Sequence, residues 1–147
     1  MRVWTTVDQT VVTPGSSPSV SNVDLLSQME LAGASKVGLT VRRTLIDLVL
    51  PFTAASSYEI GLIKARLTDI GTTRINPNGD TDLDWAFEDA FYPTFSGATA
   101  DNQRVVRIDS RSMRRVQEMG ETWALSIWSS AFSQSVKVYA RTLVLLP

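Results

Sequence analysis

The segment Val136–Leu146 constrains this fold more than any other part of the chain. Val136, Val138 and Ala140 alternate with Lys137, Tyr139 and Arg141. A period of two sends successive side chains to opposite faces, so the pattern predicts a strand with one apolar and one polar face. Tyr58–Leu67 repeats it, with Tyr58, Ile60 and Leu62 on one face and Gly61 as a bulge candidate. Val37–Leu50 is longer and dense in Val, Leu, Ile and Thr, which suit a pleated, half-buried surface. There Val37, Leu39 and Val41 are expected on one face and Thr40, Arg42 and Thr44 on the other, with Pro51 as the stop. Two shorter strands are expected at Val105–Asp109 and Thr122–Ser129. In the second, Trp123, Leu125 and Ile127 alternate with Ala124, Ser126 and Trp128. Met1–Val12, rich in Thr and Val, reads as a strand or an extended arm.

Between these segments lie loops and two short helices. Pro14–Asn22 is a loop by composition, and Ser21 or Asn22 can cap a helix over Asp24–Gly33. Leu25, Leu26, Met29 and Ala32 would form its apolar face. Ile75–Asp80 contains an Asn-Gly turn step, and Thr81–Tyr92 fits a second helix ended by Pro93, with Leu83, Phe87 and Ala90 inward. The strand connections are too short for crossover helices, which makes the sheets antiparallel. The expectation is a mainly β chain: an antiparallel β-sandwich or jelly-roll-like fold with two short helices in loops. It occupies residues 1–147 as one β-rich domain, with an N-terminal arm over residues 1–22.

The chemistry is bounded by an absence. The 147 residues include no histidine and no cysteine. That removes thiolate nucleophiles, disulfides, Ser-His-Asp triads and the usual zinc sites. Neither a Gly-rich phosphate loop nor a Ser-x-x-Lys dyad occurs. The chain is therefore read as a non-enzyme with no cofactor. No run approaches the roughly 18 apolar residues of a membrane span, so no membrane partner is expected. Thr122–Val136, as long as any uncharged run in the chain, is interrupted by serines.

Three constellations remain. Asp80, Asp82 and Asp84, with Asn76 and Asn78 before them, have the alternate spacing of a Ca²⁺ loop. Thr81 stands where such a loop needs glycine, and the same acids suit the first turn of a capped helix. Arg104, Arg107, Arg111, Arg114 and Arg115 form the densest basic cluster. They are candidates for a subunit interface or a nucleic-acid-facing surface. Eleven arginines against three lysines favour the interface, and so does the formal charge of -1. Trp4 and Trp128 are contact candidates; Trp123 and Trp128 differ in parity, so on a regular strand one of those two faces in and the other out. Exposed Trp with Asp and Ca²⁺ would also serve a carbohydrate- or ligand-binding module, which stays open as another class of function.

The charge layout adds a direction. Asp80–Asp101 holds six acids and no base, whereas Arg104–Arg115 holds five arginines and one acid. Opposed patches on a near-neutral chain suit contact with copies of itself.

The strand segments Val37–Leu48, Tyr58–Ile63, Arg104–Val116 and Arg141–Pro147 together resemble single-domain, jelly-roll-like capsid proteins of small viruses and bacteriophages. The resemblance covers most of the chain. It implies a virion structural protein, made in the host cytoplasm, that self-assembles as a homo-oligomer into a shell, alongside other virion proteins. A phage head-decoration or tail component is the alternative within that class. The sequence departs from many such proteins in lacking an Arg-rich N-terminal arm. Genome contact, if made, would then fall to Arg104–Arg115.

Overall fold

Burial along the last strand follows its sequence period. In the computed structural model, Ser135–Leu145 (β9) alternates exposed and buried residues along almost its whole length. The structure describes residues 1–12, 19–31, 36–52, 57–66, 87–96, 102–111, 113–117, 119–129 and 135–147. The other strands among them are Arg2–Val12 (β1), Ser19–Asp24 (β2), Thr40–Phe52 (β3), Ser57–Arg66 (β4), Phe87–Ser96 (β5), Asn102–Ser110 (β6), Arg114–Arg115 (β7) and Glu121–Ser129 (β8). One helix, Ser27–Leu31 (α1), follows β2.

The strands form two sheets, ordered β1-β9-β3-β6, with β7 also on β3, and β2-β8-β4-β5. Every pairing is antiparallel. Leaving the two-residue β7 aside, the first strand pairs with the last, the second with the next to last, and so inward to β4 with β5. That is one long hairpin, rolled until β3 also meets β9 and β4 also meets β8. This rolled order is the jelly roll, and the two sheets pack as a sandwich.

Both sheets contribute to the core. Ile46, Leu48, Leu50, Ile108, Val136, Val138 and Val144 come from one, and Val23, Tyr58, Ile60, Leu62, Leu125 and Ile127 from the other. Two polar links reinforce it. Trp123 Nε1 donates to Thr44 Oγ1 at 2.9 Å, bonding β8 to β3 across the sandwich. The Tyr58 hydroxyl donates to the Pro51 carbonyl.

The structure corrects several expectations. Thr44 is buried rather than outward, because a bulge between Val41 and Arg43 reverses the parity of β3. Leu39 and Val41 are buried as expected, but Val37 is exposed. Pro51 does not end β3. Pairing with β9 stops at Val49, so Pro51 has a ladder neighbour on β6 alone, where a missing donor is tolerated. Ser19–Asn22 is strand rather than loop, because Ser126–Ser129 of β8 offers a pairing edge.

The first helix is shorter than expected, and neither Ser21 nor Asn22 adjoins it; Asp24 instead braces the turn that leads into it, its Oδ1 accepting from Leu26 N at 2.9 Å. The same carboxylate binds Lys36 Nζ and Thr122 Oγ1, both at 2.6 Å. Leu25, Leu26 and Met29 are buried as expected. Of the second expected helix, Phe87–Tyr92 belongs to β5, and residues 81–86 lie outside the described residues. Pairing with β4 overrides the local helical pattern there. Pro93 fits within β5 because that strand is at a sheet edge, and the ladder skips from Tyr92 to Phe95.

Candidate interaction face

The outer face of the β1-β9-β3-β6 sheet gathers most of the chemistry visible among the described residues. Strand register fixes its rows. Thr6, Arg141, Leu45 and Asp109 lie side by side across four strands, and Asp8, Tyr139, Asp47 and Arg107 form the next row. Trp4, Leu143 and Arg43 lie on the other side of the first row. All these positions have the parity that turns them away from the core.

Cross-strand charge pairs hold this face. Arg43 forks onto Asp109, with Nε to Oδ1 at 3.0 Å and Nη2 to Oδ2 at 2.9 Å. The bond from Arg43 holds the Asp109 carboxyl below its usual range, and nearby Arg111 acts in the same direction. Arg107 Nε reaches Asp47 Oδ1 at 3.1 Å. Arg141 instead lies over the Trp4 ring, with Cζ 5.8 Å from the centroid, inside the range of a cation–π contact. Between the strands runs a shallow groove of about 360 Å³, lined in part by Leu45, Asp47, Arg107, Asp109, Tyr139 and Arg141.

The charge of the face is lopsided. β1 presents Arg2 and Asp8, and β9 presents Lys137 and Arg141. β3 presents Arg43 and Asp47, and β6 presents Arg107 and Asp109, with Arg111 just beyond its end. Arg115 of β7, beside Thr40, completes the set. Among the described residues of these strands, seven bases therefore stand against three acids, in a chain of net charge -1.

The arginine cluster read from sequence is only partly one surface. Arg107, Arg111 and Arg115 are exposed there, whereas Arg114 is half-buried and its Nη1 donates to the Met113 carbonyl at 3.0 Å. Arg104 pairs with Leu50 in the β6–β3 ladder. Trp4 is 47% exposed on β1. Trp128 lies on β8 in the other sheet, between Val20 and Glu59. Asp80, Asp82 and Asp84 lie outside the described residues, and among those described no group of three or more acids gathers to hold a metal ion. Arg43, Asp47 and Arg141 were not singled out from sequence. Alternation marks Arg141 as outward, but it does not say which strands flank it. Among the described residues, no helix is long and apolar enough to cross a membrane.

Against known proteins the likeness is one of fold. No protein-family model matches the sequence, and no curated protein matches it. The structure is similar to tobacco streak virus coat protein, solved as a dimer, at 12% identity and a TM-score of 0.51, covering 99% of this chain and 86% of that one. A chain from desmodium yellow mottle tymovirus aligns at 11% identity and a TM-score of 0.48, covering 100% and 90%. The chain thus has a jelly-roll fold like that of a viral coat protein. The neighbours named are plant-virus proteins and lend nothing to a bacteriophage origin.

Proposed function

We propose that this chain is a virion structural protein whose copies associate into a shell, with no catalytic role. The observation that carries the reading is the complete jelly-roll strand order, matched over 99% of the chain to a coat protein solved as a dimer. The absence of histidine and cysteine is consistent with a role in contact rather than chemistry. In this reading the protein resides in the virion, and its main partner is a second copy of itself.

Multi-angle light scattering across a concentration series, with electron microscopy of the same samples, tests the proposal. Closed shells or discrete large oligomers support it. A monomer at every concentration and ionic strength overturns it.

A further inference from the structure

We propose that two copies of this chain join edge to edge through β6, antiparallel about a two-fold axis at Ile108, so that Arg107 of each copy faces Asp109 of the other. The inference rests on the shell reading and names one contact, with its register, inside it.

A sheet edge carries unpaired N–H and C=O groups, and proteins usually blunt it. Among the described residues, three of the four edge strands are blunted. At β1 the Thr6 amide donates to Gln28 Oε1 at 2.8 Å. β5 contains Pro93, and its register slips twice against β4. β2 is only six residues long. β6 runs for nine residues, has neither proline nor lysine, and keeps an unbroken register with β3. No described strand pairs its outer side.

The ladder fixes which groups that edge presents. Residues of an antiparallel strand turn their N–H and C=O alternately to the neighbour on either side. Leu146 N donates to Met1 O at 3.0 Å, so bonded pairs of β1 with β9 continue at Val3–Val144, Thr5–Thr142 and Val7–Ala140. Tyr139 and Arg141 therefore bond to Asp47 and Leu45 of β3. That leaves Ile46 and Leu48 to bond with Ile108 and Val106 of β6. Val105, Arg107 and Asp109 then turn their backbone groups outward. Pro51 obeys the same alternation, since its pair with Gln103 is an unbonded one.

Charge selects the register. Val105, Arg107 and Asp109 also carry exposed side chains, Val105 at 63%. With the axis at Ile108, Arg107 and Asp109 form two reciprocal bonded pairs. Val105 meets the second copy's Arg111, whose apolar stem covers it. Within each copy Asp47 already holds Arg107, and Arg43 holds Asp109. The joint thus extends to an alternating run of Asp47, Arg107 and the second copy's Asp109 and Arg43. An axis moved one residue, to Arg107 or to Asp109, sets like charges directly opposite, which is unfavourable.

Cysteine cross-linking reads this register, because the chain has no cysteine of its own. An Arg107→Cys chain mixed with an Asp109→Cys chain should give a disulfide-linked dimer under mild oxidation. Bonded pairs bring Cα atoms to about 5.5 Å, within disulfide reach. Neither variant alone should link. Arg107→Asp and Asp109→Arg should each weaken self-association by roughly tenfold in analytical ultracentrifugation. An equimolar mixture of those two should recover it, since every acid again meets an arginine. Val105→Pro removes an outward N–H and leaves the β3 ladder intact. It should weaken association by about tenfold or more, with an unchanged circular dichroism spectrum.

Absence of linkage in the mixture overturns this inference. So do oligomers that ignore all three edge substitutions, and that outcome leaves the shell reading standing. A chain that links residue 107 to residue 109 but stops at the dimer in light scattering supports this contact and counts against the shell.

Discussion

The two sheets use the same strand periodicity in different ways. On β9 of the five-stranded sheet, Val136, Val138 and Ala140 are buried while Lys137, Tyr139 and Arg141 face solvent. On β8 of the four-stranded sheet, all six residues from Thr122 to Ile127 are buried. Its neighbour β4 buries Gly61 and Ile63 together with Ile60 and Leu62. One sheet therefore has an open, charged face, and the central strands of the other are closed on both faces. Side chains on the open face are free to serve contact, whereas those in the closed strands serve packing.

Two tryptophans offer the sharpest way to break that contrast. Trp123, on β8, is buried and donates its indole N–H across the sandwich to Thr44. Trp123→Ala should cost about 3–5 kcal/mol in urea unfolding. Trp4, on the open face, should cost less than about 1 kcal/mol when replaced by alanine. Similar losses at the two sites would mean that the open face is as structural as the closed one.

Alkaline titration probes the closed sheet from another side. Burial pushes the Tyr58 hydroxyl up from 10.0 to about 12, partly opposed by a hydrogen bond with Ser129. The folded state thus holds its proton more tightly than the unfolded state. This contribution is fully present below pH 10.0 and is lost as pH rises through about 12. The loss should be on the order of 2 kcal/mol. Tyr58→Phe should abolish this component, as read from unfolding curves between neutral and strongly alkaline pH. Thr44→Val should cost about 1–2 kcal/mol at neutral pH, because it leaves the Trp123 N–H buried without its acceptor.

The same contrast explains how much of the molecule was legible in the sequence. β9 and most of β4 were readable because alternation reports a strand with one wet face. The parity of β3 past Val41 was not, since the bulge that turns Thr44 inward leaves no local sign. Phe87–Tyr92 looked helical by its own spacing and became strand because β4 offered it a partner. The arginine cluster at Arg104–Arg115 was visible as composition. Its real associates, Asp47 and Arg43 on β3, are some 60 residues away in sequence and meet it only through the register of β3 with β6. Trp4 was visible as a contact candidate by residue type, but its contact with Arg141 depends on the first and last strands lying side by side.

The smallest effect falls on the open face, at the Arg43–Asp109 pair. The hydrogen bond from Arg43 lowers the Asp109 carboxyl below its usual 3.8; desolvation opposes it, and the attraction of Arg43 and then of Arg111 adds to the lowering. Since the folded state favours the ionised form, the pair's contribution is present above pH 3.8 and fades as pH falls through the lower folded value. Both side chains are well exposed, so water and salt screen the pair, and Arg43→Gln should barely change the unfolding midpoint at neutral pH. Its signature should be local: in an NMR titration the Asp109 carboxyl should move up toward 3.8 in the variant while the fold is unchanged. A loss of stability comparable to that of Thr44→Val would show that the charge rows bind the sheet together. The open face would then be a structural element rather than a surface free to take a partner.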